Sequence, residues 1–380
     1  MIMKKSGREK EEKSLLKRIQ RWGWMRGRLL GVGTHGSVFE AIIHGKTDSR
    51  PLQFKDYPSL LVVKSADSDS YYGELIIEKE EFVYTSLGSN PHILKFYGHD
   101  YTFSEDHDGG NYGRVRYNLF FENALGGSLS DFIKRTRGWL RESQARAHTR
   151  SILKGLEFIH QKGFVHCDIK PSNILLVHCD DNNPHGVDGL VAKIADFGLS
   201  KRINDDSESG NKVTGSWLYL SPENVCEETQ DQASDIWALG CVVLEMLTGY
   251  LPWDENLGEE ELYNKISTES PFIPSYLTPI AKDFLLECFT RDPNQRPSAQ
   301  MLLDHPFAMK IKEEDFEEED PEEEDSEEED LEEEDPKEKD PEEDPEEDPK
   351  EDSKKILKKT RKKDKALTQL TATSKTETVK

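Results

Sequence analysis

The 380-residue sequence predicts an α+β fold of two lobes, β-rich first and α-helical second, followed by a disordered acidic tail. Three observations predict it. From Trp24 to about Asn118 the pattern is mostly strand-like, with glycine-rich turns at 31–36 and 109–113 and one helical stretch from about Glu74 to Leu87. From Ser128 onward helical spacing dominates. After Pro306-Phe307 the composition turns abruptly to Asp and Glu, which cannot bury a core. The boundaries follow: a mobile lead-in over 1–23, a domain over 24–308 whose lobes meet at about 122–123, and a tail over 309–380.

Charge follows the same division. The formal net charge is -25, yet residues 313–352 alone hold 29 Asp or Glu against Lys337, Lys339 and Lys350, a net of -26. The remainder sums to about +1, with no excess of basic charge that would signal nucleic-acid binding. Phe316, Pro321, Ser326, Leu331 and Pro336 mark a five-residue acidic repeat, a period that fits neither a heptad nor a solenoid. Such a run reads first as a solvated tail, and otherwise as a contact for basic partners. The basic cluster at 354–365 is either a nuclear localisation signal or a counter-charge for the acidic run. Five scattered cysteines (Cys167, Cys179, Cys226, Cys241, Cys288) and an N-terminus without an apolar core argue for a reducing compartment and against a signal peptide. The longest apolar stretch, Ile236 to Leu247, is too short to cross a bilayer. The expectation is a soluble protein of the cytoplasm, and also of the nucleus if the basic cluster is read.

In chain order, Arg28-Leu29-Leu30 is strand-like and leads into Gly31-Val32-Gly33-Thr34-His35-Gly36-Ser37-Val38. A GxGxxG string is weak alone. Here Val38-Phe39 continue as a second strand rather than a helix, which favours a hairpin over a triphosphate and counts against a dinucleotide turn. Leu61-Val62-Val63-Lys64 is an apolar strand ending in a lysine, a solvated edge residue or a grip on α- and β-phosphates. In the second role Lys64 needs a helix glutamate, and Glu80 is favoured over Glu78 and Glu81. Gln144 to His160 places Ala145, Ile152, Leu156 and Ile159 on one face of a helix closed by Gly163. Asp235 to Thr248 is apolar nearly all round, as a buried helix would be.

The most informative string is His166-Cys167-Asp168-Ile169-Lys170-Pro171-Ser172-Asn173. Asp168 can accept the proton of an attacking hydroxyl, Lys170 can neutralise a moving phosphoryl group, and Asn173 can hold a metal ion. Val177-His178-Cys179-Asp180 repeats the opening of that string but lacks the Lys and Asn that follow. A metal site from His178, Cys179 and His185 has no recognised ligand spacing, and a turn-forming insert is the better reading. Asp196-Phe197-Gly198 follows a strand at 192–195 and lies 28 residues beyond Asp168, and the Asp196 carboxylate would bind magnesium. Ser221-Pro222-Glu223 closes the segment, with Arg296 a candidate partner for Glu223.

Taken together these residues resemble a eukaryotic protein kinase domain over about 24–308. The resemblance implies the bilobal kinase fold, ATP and Mg2+ in the cleft, and protein substrates. It implies catalytic roles for Asp168 and Lys170, metal roles for Asn173 and Asp196, and ATP contacts from Leu30, Gly31, Val32, Gly33, Thr34, His35, Gly36, Ser37, Val38, Val62, Lys64, Glu80 and Leu175. By position Phe121 resembles the gatekeeper, Glu122, Asn123 and Ala124 the hinge that meets adenine, and Asp235 the helix acid that braces the catalytic loop. Lys170 and Gly215-Ser216 resemble serine/threonine kinases. Trp24-x-Arg26-Gly27, Val63-Lys64-Ser65-Ala66, Gly126-Gly127-Ser128-Leu129 and the His-Cys-Asp string resemble plant MEKK-like mitogen-activated protein kinase kinase kinases, which implies MAP kinase kinases as substrates and a stress or hormone signal.

Three positions depart from the kinase pattern. Val62 replaces an alanine that packs on adenine, Ser221 replaces another alanine, and Cys167 replaces the arginine that pairs with a phosphate on the activation segment. A thiol cannot make that pair, so phosphorylation at Ser200, Ser207, Ser209 or Thr214 is expected to matter less here. A pseudokinase or nucleotide-binding scaffold would lack Lys64, Asp168, Asn173 or Asp196, and all four are present.

Overall fold

The computed structural model describes residues 23–33, 36–45, 52–66, 71–104, 114–179, 187–203 and 213–309, all within one unit spanning 1–316. Apart from Gly23 and Met309, the expected mobile lead-in and the acidic tail with its basic cluster lie outside the described residues, as does the turn at 109–113.

The first lobe is a five-stranded antiparallel sheet in the order β1-β2-β3-β5-β4. Its strands are β1 (Trp24–Gly33), β2 (Gly36–Ile43), β3 (Leu60–Ala66), β4 (Phe96–Ser104) and β5 (Arg114–Phe121). The β1–β2 register runs to Gly33↔Gly36, so the glycine string is the tip of a hairpin. At Gly36 a Cβ would run into the carbonyl of Ser65 on β3, which explains glycine there. One face of the sheet packs Trp24, Phe54, Leu61, Val63 and Phe120 into a small core, with Trp24 and Phe120 edge to face at 5.0 Å. The Trp24 indole N–H reaches Asp100 at 2.9 Å, so the ring is buried with its polar atom satisfied. Helix α1 (Tyr71–Leu87) buries Ile77, Val83, Tyr84 and Leu87 on the sheet's other side.

The second lobe is helical: α2 (Leu129–Arg135), α3 (Glu142–Gln161), α4 (Pro222–Cys226), α5 (Gln232–Thr248), α6 (Glu259–Thr268), α7 (Pro279–Cys288) and α8 (Ala299–Leu303). Helix α3 buries Ala145, Ile152, Leu156 and Ile159, the face expected from their spacing. Helix α5 is buried over most of its circumference. It starts three residues before the expected Asp235, because Asp231 caps it by accepting from the Ala233 and Ser234 N–H groups. It ends at Gly249, whose φ of 73° suits a residue without a Cβ. Helix α7 crosses so near that a Cβ at Gly240 would lie 2.7 Å from Cys288 Cβ.

Five short strands also occur in this region: β6 (Gly127–Ser128), β7 (Phe164–Val165), β8 (Ile174–His178), β9 (Leu190–Ile194) and β10 (Lys201–Arg202). They form a β6-β8-β9 sheet and a β7–β10 pair that present the loops between them to the first lobe. His178 ends β8, and the Cys179 N–H bonds Gly189 O, so the second His-Cys copy is the rim of a hairpin. Asp180 and His185 lie outside the described residues.

Candidate active site

A cleft of about 750 Å³ opens between the lobes. Leu30, Gly31, Val32, Gly33, Gly36 and Val38 of the β1–β2 hairpin roof it, and Val62 and Lys64 of β3 line it below them. Phe121 and the connecting Glu122, Asn123 and Ala124 line it where the lobes join, and Leu175 of β8 belongs to its floor. Ser37 does not line it, because strand alternation turns that side chain away from the face shared by Gly36 and Val38. Thr34 and His35 lie outside the described residues.

At the inner end Lys64 Nζ lies 2.6 Å from Glu80 Oε2 and 2.9 Å from Asp196 Oδ1. Glu80 is the helix glutamate that reaches the lysine; Glu81 is paired with His99, and Glu78 is exposed. Burial alone would lower the Lys64 pKa, but the two carboxylates override it and raise it, so the ammonium persists. Burial pushes the Glu80 carboxyl up to about 7 against the pull of Lys64. For Asp196 burial also works against ionisation, and Lys64 overrides it to hold the carboxyl below its ordinary range.

Asp168 sits at the front in a network of donors. Its Oδ1 accepts from the Ser216 N–H and hydroxyl, each at 2.9 Å. Its Oδ2 accepts from Asn173 Nδ2 at 2.8 Å and lies 2.8 Å from Lys170 Nζ. Lys170 also donates to Ser216 Oγ at 2.7 Å. Because Asn173 uses its NH₂ on Asp168, its carbonyl oxygen is left as a hard oxygen donor in the cleft that Asp196 also lines.

The loop that carries Asp168 is held from below. Asp235 Oδ2 accepts from His166 N at 2.9 Å, and Oδ1 accepts from Cys167 N at 3.0 Å. His166 Nδ1 accepts from Asp168 N, which leaves Nε2 protonated to donate to Ala195 O at 3.1 Å. Cys167 and Asp196 both adopt left-handed backbone, with φ of 69° and 64°. Such non-glycine positions carry strain that surrounding contacts must hold, and they cluster at functional sites. A column of rings then links the lobes: Phe96 to Tyr84 at 5.6 Å, Tyr84 to Phe197 at 4.8 Å, and Phe197 to His166 at 5.0 Å.

Residues 24–308 match the protein kinase domain family. The chain is a member of that family. It is 40% identical over 300 residues to mitogen-activated protein kinase kinase kinase 20 of Arabidopsis thaliana, covering 77% of this chain and 80% of that one. Kinase kinase kinase 17 of the same plant is 36% identical over 289 residues (75% and 69%), and number 18 is 35% identical over 296 (77% and 79%). The protein is thus a serine/threonine kinase that resembles the MEKK-like group.

Several features of this kinase were not legible in advance. Ser216, read only as a mark of class, is a direct partner of Asp168. Lys193 of β9 pins the Glu122 carboxylate at 2.7 and 2.9 Å while Lys95 N donates to it at 2.6 Å, so the connecting segment is clasped from both lobes. Nothing in an alternating strand pattern marks that lysine. Among the suggested phosphosites, Ser200 is fully buried and donates to His166 O at 3.1 Å, which puts its hydroxyl out of reach of another enzyme. Thr214 is half-buried, and Ser207 and Ser209 lie outside the described residues. Glu223 and Arg296 form a buried pair at 2.6 Å, below the cleft and away from its chemistry.

Away from the cleft, Asp283, Glu287 and His305 come together. His305 Nδ1 accepts from Phe307 N, so its Nε2 carries the proton and faces Asp283 as a donor rather than a metal ligand. No helix among the described residues is long and apolar enough to cross a membrane.

Proposed function

We propose that this kinase transfers the γ-phosphoryl group of Mg-ATP to serine or threonine hydroxyls of MAP kinase kinases, as a MAP kinase kinase kinase in plant stress or hormone signalling. One observation carries the catalytic part: the Asp168–Lys170–Asn173–Ser216 network and the Lys64–Glu80–Asp196 group face one cleft.

The residues fit nucleotide and metal. Lys64 is a cation fixed between two carboxylates, suited to α- and β-phosphate oxygens, and the hairpin brings glycine backbone over the same space. Asn173 and Asp196 supply the oxygen donors that magnesium prefers. Magnesium bound there would neutralise charge on the β- and γ-phosphates. Asp168 is the proton acceptor, its carboxylate aimed by Ser216 N and Asn173 Nδ2. Lys170 balances the negative charge that gathers between Asp168 and the transferred group. The names of the relatives support MAP kinase kinases as the substrates.

An active enzyme labels a generic protein substrate with Mg-ATP, and Asp168→Asn lowers the rate about 10²–10⁴-fold. Nucleotide binding with no transfer by either protein would establish a scaffold instead.

A further inference from the structure

The activation segment returns to the catalytic loop at 213–216, and there, besides the Ser216–Asp168 contacts, a neutral side chain from a third segment joins the two. Gln230, in the turn before α5, is 8% exposed. Its Nε2 donates to Thr214 O at 2.9 Å and to Cys167 O at 3.3 Å, and its Oε1 accepts from Thr214 N at 3.4 Å. Both functions of one amide are therefore used, and both receiving chains are backbone.

The geometry around it leaves little freedom. The left-handed Cys167 turns its carbonyl towards Gly215, and a Cβ on Gly215 (φ 113°) would run into that oxygen. Two residues beyond Thr214, Ser216 places both of its donors on Asp168 Oδ1. A shift of Thr214 would therefore be carried through Gly215 to the carboxylate that receives the substrate proton. Gln230 itself is fixed by its neighbour Asp231, the cap of α5.

We propose that Gln230 is a positioning residue for phosphoryl transfer, an uncharged clasp that sets the activation segment on the catalytic loop where Cys167 supplies no cation for a phosphate. It rests on the kinase reading above and acts on the protein-substrate side of the cleft. Lys64, Glu80 and Asp196, which serve the nucleotide, make no contact with it.

Two variants of the full chain test it. Gln230→Glu keeps the shape and the acceptor but sets a carboxylate against two carbonyl oxygens, and Gln230→Ala removes the clasp. Both are expected to lower kcat/KM for protein substrate about tenfold or more, with KM for ATP held within about twofold. Gln230→Glu buries an unpaired carboxylate and is expected to lower the Tm. The decisive readout is therefore the split between protein-substrate and ATP kinetics, with Gln230→Ala as the uncharged control. Unchanged protein-substrate kinetics in both variants would overturn the proposal. So would equal losses towards ATP and protein. A wild type that transfers nothing would overturn the kinase reading and the clasp with it.

Discussion

Cys167 contributes its backbone rather than its sulfur. Its N–H goes to Asp235, its carbonyl to Gln230, and its Sγ lies 3.6 Å from Val165 O in a buried position. Burial, reinforced by Asp235, pushes the thiol's pKa up, so it stays protonated and uncharged at neutral pH. A buried neutral thiol cannot pair with a phosphate, so phosphatase treatment of the purified kinase should leave turnover within about twofold of the untreated protein. Loss of turnover on that treatment would contradict this. At the same scale the sequence was informative where spacing alone decides contact: a strand lysine and a glutamate on a facing helix meet as Lys64 and Glu80. It was uninformative where burial decides. Nothing in the string marks Ser200 as buried, and only packing against the His166 carbonyl removes it from the surface.

Elements were legible to the extent that one face or one whole surface was apolar. Helix α3 follows its apolar face, and the hairpin at 31–36 follows from the continuation of Val38-Phe39 as a strand. Starts were less legible, because Asp231 acts as a cap through its side chain rather than through hydrophobic period. The short strands β6 to β10 have two to five residues each, too few for a period to register, and only β9 is expected from the sequence, as a strand at 192–195. Yet together they carry the loops with His166, Asn173 and Asp196. Gly240 has the same lesson for packing. It looks like a blemish in an apolar helix, but a side chain there would meet Cys288 Cβ and the Phe289 ring.

Across the whole molecule two charge arrangements matter. The acidic run at 313–352 carries -26, and the domain that holds the cleft is itself acidic, with 27 Lys or Arg against 41 Asp or Glu over 24–308, a charge that the basic flanking segments offset. Within that domain Glu223 and Arg296 are almost fully buried and bonded by two contacts, 2.6 and 3.0 Å. Burial opposes ionisation of Glu223, but the Arg296 guanidinium overrides it and holds the carboxyl below its ordinary 4.5. With its folded value below its unfolded one, the group stabilises the fold above 4.5 and that contribution is lost as pH falls through the folded value. Arg296→Met should therefore cost about 3–5 kcal/mol at neutral pH, because it leaves a buried carboxylate unpaired. The Tm gap to wild type should narrow as the solution is acidified below 4.5, where that carboxyl can be protonated. A gap constant from neutral to acid pH would contradict it.

The whole-molecule claim is that this cleft serves MAP kinase kinases. The most direct measurement incubates the full chain with Mg-ATP and a panel of MAP kinase kinases, beside Asp168→Asn, and maps the phosphorylated residues. The expected result is serine or threonine phosphorylation of at least one member by the wild type, lost in Asp168→Asn. A wild type that labels a generic protein and leaves every MAP kinase kinase unmodified would contradict it.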